Sequence, residues 1–353
     1  MRNHVFSSPR GGLRTVSIGG GNGLATLLSG LKSFVGEKNA DPVWIKDLAA
    51  VVAVSDDGGS SGRIREELQI LAPGDIRNCM VALSEDSHLL ARLFRYRFTG
   101  EGELAGHSFG NLFLAALSEV TGDFAEAVKL SSEILVSKGH IYPATVEDVR
   151  LVAELEGGEE VYGETNVGMS GNSIKRLRLE PESCEPLPET LEAIREADLI
   201  TVGPGSLFTS LLPPLLVEGV APAIAESSAV KIFVSNLMTQ PGETDGFTAL
   251  RHLEVIAAHA PGISFDYLII NNEPIKSDQA EKYGGKGARQ VGLGNSISQG
   301  SFEGVKIIYD NLLDTGEKVR HHPEMLARNI LECAASLPSE DRSSGKDRRI
   351  TAD

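Results

Sequence analysis

Cysteine is scarce in this sequence: Cys79, Cys184 and Cys333 are the only three in 353 residues, they lie far apart, and none forms a CxxC pair. An odd, scattered set excludes a closed disulfide framework and predicts a reducing, cytoplasmic setting. No stretch approaches the roughly 18 uninterrupted apolar residues that a membrane helix needs, so no integral membrane segment is expected. Met1 to Gly12 is polar with scattered bases. It lacks the apolar stretch of a signal peptide and reads as a flexible leader. Basic charge is also short, with 33 Lys plus Arg against 49 Asp plus Glu and a formal net charge of -16. Such a surface repels polyanions, so no nucleic-acid partner is expected and any phosphate must be held locally. GxxxxGK[ST], HExxH, GxSxG and the kinase signature set are all absent. P-loop hydrolysis, zinc proteolysis and serine hydrolysis therefore have no support.

What is present is a globular composition, 41% hydrophobic and 23% charged with 38 glycines. Arg14 to Ile18 alternates as a strand, Gly19 to Gly23 breaks the chain, and Leu24, Leu27, Leu28 and Leu31 return at helical spacing. Leu48 to Val54 is a continuous apolar run, as in a parallel strand covered on both faces. Helices are predicted from Asp75, as N-cap, to Leu83, and over Ser87 to Phe98, Gly110 to Val120 and Asp123 to Leu135. Val149 to Glu156 and Glu159 to Glu164 flank Gly157-Gly158, and with Ile174 to Leu179 they predict a small antiparallel insertion. Strands resume at Leu199 to Val202, Lys231 to Val234, Tyr267 to Ile270 and Val305 to Tyr309, with helices over Thr248 to His259 and Pro323 to Leu337. His321 and His322 cannot share a helical face as a metal pair would, and lead into the last helix. The expected fold class is α/β, a Rossmann-like three-layer core with a mostly parallel sheet. Residues 13–337 form one domain with a β insertion at about 139–181, between a flexible residue 1–12 segment and a disordered 338–353 tail.

The Gly19 to Gly23 run places four glycines in five residues between a strand and a helix. There, backbone N–H groups and the helix N-terminus attract phosphate. The run is not a clean GxGxxG, and no acidic residue closes a second strand about twenty residues on. Dinucleotide dehydrogenase chemistry is therefore disfavoured. Asp56 and Asp57 sit at the carboxyl end of a buried strand, the edge where open α/β sheets bind ligands. Adjacent carboxylates diverge in an extended chain, so only one of them is expected to reach a ligand or Mg²⁺. Gly203, Pro204, Gly205 and Ser206, followed by Thr209, make a second rigid loop, and the two loops are expected to clamp one ligand. A polar loop holding Asn236, Thr239 and Gln240 follows the next strand. Asn78, His107 and Asn111 are placed on the acceptor or sugar side.

Six ordered blocks carry a family resemblance: Gly19 to Gly23, Val54 to Arg63, Pro73 to Asn78, Gly106 to Asn111, Gly203 to Ser210 and Met238 to Gly246. Together they resemble the bacterial gluconeogenesis factor, or YvcK-like, family, related to the 2-phospho-L-lactate transferases (CofD), over about Thr15 to Leu337. The resemblance implies a core that binds UDP-sugars such as UDP-N-acetylglucosamine. It also implies a cytoplasmic role in cell shape and wall synthesis during growth on gluconeogenic carbon sources, with cell-wall synthesis proteins as partners and a homo-oligomeric state. In that reading Gly20, Gly21, Asn22 and Gly23 hold a diphosphate with Gly203 to Ser206, while Asn236, Thr239 and Gln240 select base or sugar. The transferase branch moves a phospholactyl group from a guanosine diphosphate carrier to a deazaflavin precursor with Mg²⁺. On that alternative Asp57 positions the metal and His107 or Asn111 orients the acceptor, although the Ser55 to Arg63 block departs from the transferase pattern. A redox enzyme using NAD is the third reading and rests on the glycine turn alone.

Overall fold

The computed structural model describes residues 12–36, 43–85, 89–171, 173–285, 287–294 and 304–336. Expectations for residues 1–11 and 337–353 lie outside the described residues. The first half runs β1 (Leu13–Gly19), α1 (Gly21–Leu31), β2 (Ile45–Val52), α2 (Gly59–Leu68), α3 (Gly74–Leu83), α4 (Leu89–Arg95), α5 (Phe109–Thr121), α6 (Phe124–Ile134) and β3 (His140–Pro143). A small unit follows: β4 (Arg150–Leu155), β5 (Glu160–Tyr162), α7 (Glu164–Met169) and β6 (Ile174–Glu180). The chain then continues through α8 (Pro188–Glu196), β7 (Leu199–Val202), α9 (Leu212–Leu216), α10 (Val220–Glu226), β8 (Val230–Val234), α11 (Ala249–His259), β9 (Tyr267–Asn271), α12 (Ser277–Gly284), β10 (Lys306–Asp310) and α13 (Pro323–Ala335).

Seven strands pair in the order β10-β9-β8-β7-β1-β2-β3, all parallel. Alternate residues of β2 serve opposite faces. Ala49 and Val51 join the core under α9, α10 and α11, while Leu48, Ala50 and Val52 join the core under α1, α3 and α13. Past the exposed Lys46 and Asp47 the strand is covered on both sides and has no face to leave polar, which explains the unbroken apolar sequence from Leu48 to Val52. β5, β4 and β6 form a separate antiparallel sheet. It begins at Arg150, later than residue 139, because His140–Pro143 pairs parallel with β2 and belongs to the main sheet. Buried Arg65 on α2 bonds to Asp148 and to the Val149 carbonyl, which ties the entry of this unit to α2.

Two expectations change. Asp75 does not cap α3: the helix begins one residue earlier and Asp75 lies inside its first turn. The helix predicted over Ser87 to Phe98 is described only from Leu89 to Arg95, residues 86–88 being outside the described set. Beyond Arg95 the chain pairs back on itself, with Phe109 N donating to Tyr96 O and Phe98 N to His107 O, both at 2.9 Å. Histidine does lead into the last helix: His322 Nδ1 accepts from Met325 N at 3.4 Å.

α1 crosses α13 so closely that a Cβ on Gly30 would lie 2.1 Å from the Pro323 carbonyl oxygen. Neither backbone can retreat without moving a helix, so overpacking there is costly. Gly30→Ala is expected to lower stability by about 1–3 kcal/mol, read as a shift of the urea midpoint at unchanged slope. An unchanged midpoint would show that the two helices are not held at this separation.

Candidate functional site

Strand order reverses between β1 and β7, with β2 and β3 on one side and β8, β9 and β10 on the other. Loops leaving the carboxyl ends of two such strands part to opposite faces and open a crevice. Here those loops are the Gly19 to Gly23 turn and Gly203 to Ser206. The two loops, expected to clamp one ligand, touch each other at one point. A Cβ on Gly23 would lie 2.3 Å from Pro204 O and 3.0 Å from Gly205 N. Ligand space lies beside this contact, in a cleft of about 440 Å³. Asn22, Gly23 and Thr26 line one wall and Pro204, Gly205 and Ser206 the next. Asn236, Leu237, Met238 and Gln240 form the floor, and Tyr283, Lys318 and Arg320 complete the rim.

Most amides of the second loop are already committed. Gly203 N donates to Ile18 O at 3.1 Å, and proline has no N–H. Asn236 brackets Gly205, its Oδ1 accepting from Gly205 N at 3.0 Å and its Nδ2 donating to Gly205 O at 2.7 Å. Of this loop only the Ser206 amide has no partner among the described residues. In the first loop, Gly21 N–H donates to the Asp75 carboxylate. The Asn22 and Gly23 amides have no partner among the described residues, and α1 carries neither a capping side chain nor an acid in its first turn. The positive end of α1 is therefore open to an anion.

The remaining residues singled out in the sequence divide between shaping the cleft and facing it. Thr239 donates its N–H to Arg289 O at 2.7 Å and accepts from Arg289 N at 2.9 Å through Oγ1, so it fixes its loop. Thr209 is buried in a π-type turn in which Ser206 O accepts from both Ser210 N and Leu211 N at 2.9 Å. Gln240 faces the cleft, its Nε2 donating to Ser206 Oγ at 2.6 Å while its buried Oε1 has no partner among the described residues. Tyr283, Lys318 and Arg320 escaped sequence reasoning because they belong to no motif and lie far along the chain from either glycine loop. His321 lies just behind them. Burial pushes its imidazole down to about 4, against the hydrogen bond it donates to Ser235 O. Positive charge at the cleft therefore comes from Lys318 and Arg320.

On the other side of the glycine turn, carboxylates gather. Asp56 Oδ1 accepts from Gly58 N at 2.9 Å. Asp57 turns away and caps α7, its Oδ1 accepting from Thr165 N at 2.8 Å and Thr165 Oγ1 at 2.7 Å. The Asp75 carboxylate reaches beneath Gly20, where a Cβ would lie 2.6 Å from Oδ2. Burial, and then the charge of Asp56, push Asp75 up to about 7. Burial and the charges of Asp56, Asp75, Asp57 and Glu243 push Glu164 up to about 9, and burial alone takes Glu243 to about 7. Among the described residues no three His, Cys, Asp or Glu side chains are placed to hold a metal ion. With Asp57 engaged by Thr165, the residues as arranged do not fit a Mg²⁺ centre built on Asp57.

Asn78, His107 and Asn111 join a polar seam beside these acids rather than the cleft. Asn78 bonds to Asp75. Ser60 Oγ lies 3.2 Å from His107 Nδ1 and accepts from Asn111 Nδ2 at 3.2 Å, and Asn111 Oδ1 accepts from Arg77 Nε at 3.3 Å. The seam knits the first turns of α2, α3 and α5 together. Burial, then Arg63, lower the His107 pKa, so the ring is neutral at pH 7.

Carboxyls raised by folding bind more protons in the native than in the unfolded chain between their unfolded and folded pKa values. Their contribution is complete below about pH 4 and is lost as pH rises through about 7 for Asp75 and Glu243 and about 9 for Glu164. Glu164→Gln is therefore expected to stabilise the chain at pH 8 by about 1–3 kcal/mol and to flatten the decline in stability across that window. Denaturant titrations at pH 5 and pH 8 check this, and equal destabilisation at both would contradict it.

Comparison with known proteins places this geometry in a family. The profile of the family described as "2-phospho-L-lactate transferase CofD" matches residues 15–313. A protein of Halalkalibacterium halodurans named "Gluconeogenesis factor" is 44% identical over 318 residues, 90% of this chain and 95% of that one. The "Gluconeogenesis factor" of Bacillus subtilis is 42% identical over 315 residues, 89% and 96% of the two chains. The crystal structure of a UPF0052-family protein from Bacillus halodurans superposes with a TM-score of 0.83 at 43% identity, covering 91% of this chain and 99% of that one. The chain thus belongs to the CofD-related gluconeogenesis factor family, and its parallel seven-stranded α/β core is that family's fold.

Proposed function

We propose that this chain binds a nucleotide-sugar, with UDP-N-acetylglucosamine as the expected ligand, and acts as a regulator rather than as an enzyme. The observation that carries the reading is the cleft at the β1/β7 switch point, where the open N-terminus of α1 and the cations Lys318 and Arg320 line one space. The diphosphate takes the Asn22, Gly23 and Ser206 amides and the Arg320 guanidinium, charge-assisted bonds of the strong kind. Tyr283 offers a ring to a base, and Leu237 and Met238 an apolar floor.

The cleft draws on segments far apart in sequence, so ligand holds them together and favours whichever state has them closed. The name carried by the relatives ties the output to growth on gluconeogenic carbon. Cell shape, cell-wall synthesis proteins as receivers, a cytoplasmic location and a homo-oligomeric state come to this reading from the family resemblance. Isothermal titration calorimetry with UDP-N-acetylglucosamine, GDP and NAD tests it. The UDP-sugar is expected to bind best, and Arg320→Ala to weaken it roughly 10–100-fold through loss of a charge-assisted bond. Tight NAD binding with silent UDP-sugars would sink the reading.

One observation favours a second reading, a phospho-group transferase: Asp56 and Asp75 crowd together directly beneath the glycine turn. Phosphorus NMR of the protein with nucleoside-diphosphate donors and Mg²⁺ separates the two. The binding reading expects no turnover, and sustained turnover abolished by Asp75→Asn would replace it with the transferase.

A further inference from the structure

Among the described residues, large apolar side chains exposed to solvent number twelve, and Leu89, Leu93, Tyr96 and Leu104 supply four of them within one short stretch. Leu89 is 68% exposed, Leu93 38% and Tyr96 49%. Leu89, Leu93 and Tyr96 are spaced i, i+4, i+7, so they form a stripe along α4 and its exit. The opposite side of α4 explains why this stripe stays outside. Phe94 is fully buried in an aromatic cluster, its ring 5.0 Å from Phe113 and 6.0 Å from Phe109, and Ala91 is buried beside it. The helix is anchored by one face and presents the other as a preformed surface.

Charge says what that surface fits. From Leu89 to Phe98 there are three arginines, Arg92, Arg95 and Arg97, and no acid, in a chain with net charge -16. Arg92 is exposed and has no hydrogen-bond or ion-pair partner among the described residues. On a helical projection Arg92 and Arg95 follow one another along one flank of the apolar stripe. An apolar stripe bordered by arginines matches a surface that is apolar below and anionic above, namely the headgroup boundary of an acidic bilayer. A second copy fits less well. A two-fold contact through this face brings its arginines together with no acid from the same stretch to meet them. No single described helix is long and apolar enough to cross a membrane, so the contact is peripheral.

We propose that the Leu89–Leu93–Tyr96 face, with Arg92 and Arg95 on its flank, docks this protein on anionic phospholipid. Arg92 contributes about fivefold in partition, and a few inserted side chains complete a reversible contact that salt weakens.

Flotation of the purified full chain with phosphatidylcholine vesicles containing one third phosphatidylglycerol tests the proposal. Binding is expected at low salt, and little on pure phosphatidylcholine. Arg92→Glu is expected to weaken it roughly 25-fold, twice the logarithmic effect of losing one charge. Leu89→Ser with Leu93→Ser is expected to abolish it, with circular dichroism confirming that the fold is kept. The salt dependence is read on the unaltered protein, so a variant that fails to fold leaves that arm standing. Absence of flotation at low salt, or flotation insensitive to salt and to Arg92→Glu, overturns the proposal. A dimer in sedimentation velocity that Leu89→Ser with Leu93→Ser dissolves, without vesicle binding, overturns it in favour of a second copy.

Discussion

The backbone contact between Gly23 and Pro204 is the constraint on which the site depends. It joins the loops leaving β1 and β7, the two strands between which chain order reverses. Any side chain at residue 23 would meet carbonyl and amide atoms rather than a flexible neighbour, so the loops can approach only if that position is glycine. The approach turns the first free amides of α1 toward the cleft. Asn236 then locks the partner loop by bracketing Gly205 from the end of the next strand. At its far end α1 is held just as tightly by the Gly30–Pro323 contact with α13. The segment bearing Lys318 and Arg320 leads directly into α13. One helix thus fixes both walls of the cleft, anion-facing amides at its start and the cation-bearing segment through its end.

The glycine turn also separates two kinds of chemistry. Toward the cleft lie amides and cations, and beneath it lie carboxyls whose burial favours the protonated form. That proximity has an electrostatic consequence. A fully ionised acid cluster under the turn would repel a diphosphate above it, whereas protonated carboxyls do not. Asp75 also accepts the Gly21 amide, so the state of the acids and the geometry of the turn are linked by a hydrogen bond. On the proposed reading, this is how a strongly acidic chain holds a phosphate locally.

Much of the core was legible in the sequence because parallel strands buried on both faces read as short apolar runs, as at Leu199–Val202, and the breaks after β1, β2 and β7 are glycine-bearing loops. The two glycine loops at the β1–β7 junction were legible for the same reason. Less readable was what each polar group does once the loops meet. Asn236, expected to select a base or sugar, lines the cleft and also brackets Gly205; Asp75 looked like a cap and instead supports the turn. Both roles depend on the β1–β7 junction, which no local pattern reveals. Tyr283, Lys318 and Arg320 carry no spacing signal at all, and only the return of the chain past α12 and into α13 brings them to the cleft. The edge strand His140–Pro143 was absorbed into the insertion for a similar reason, since its partner β2 is distant in sequence.

A crystal structure of this protein with UDP-N-acetylglucosamine tests the central claim most directly. The account places the diphosphate within hydrogen-bond reach of the Asn22, Gly23 and Ser206 amides, with the Arg320 guanidinium against it and the Tyr283 ring beside the base. A diphosphate seated instead among Asp56, Asp75 and Glu164, with the cleft beside Gly23 empty, would contradict it.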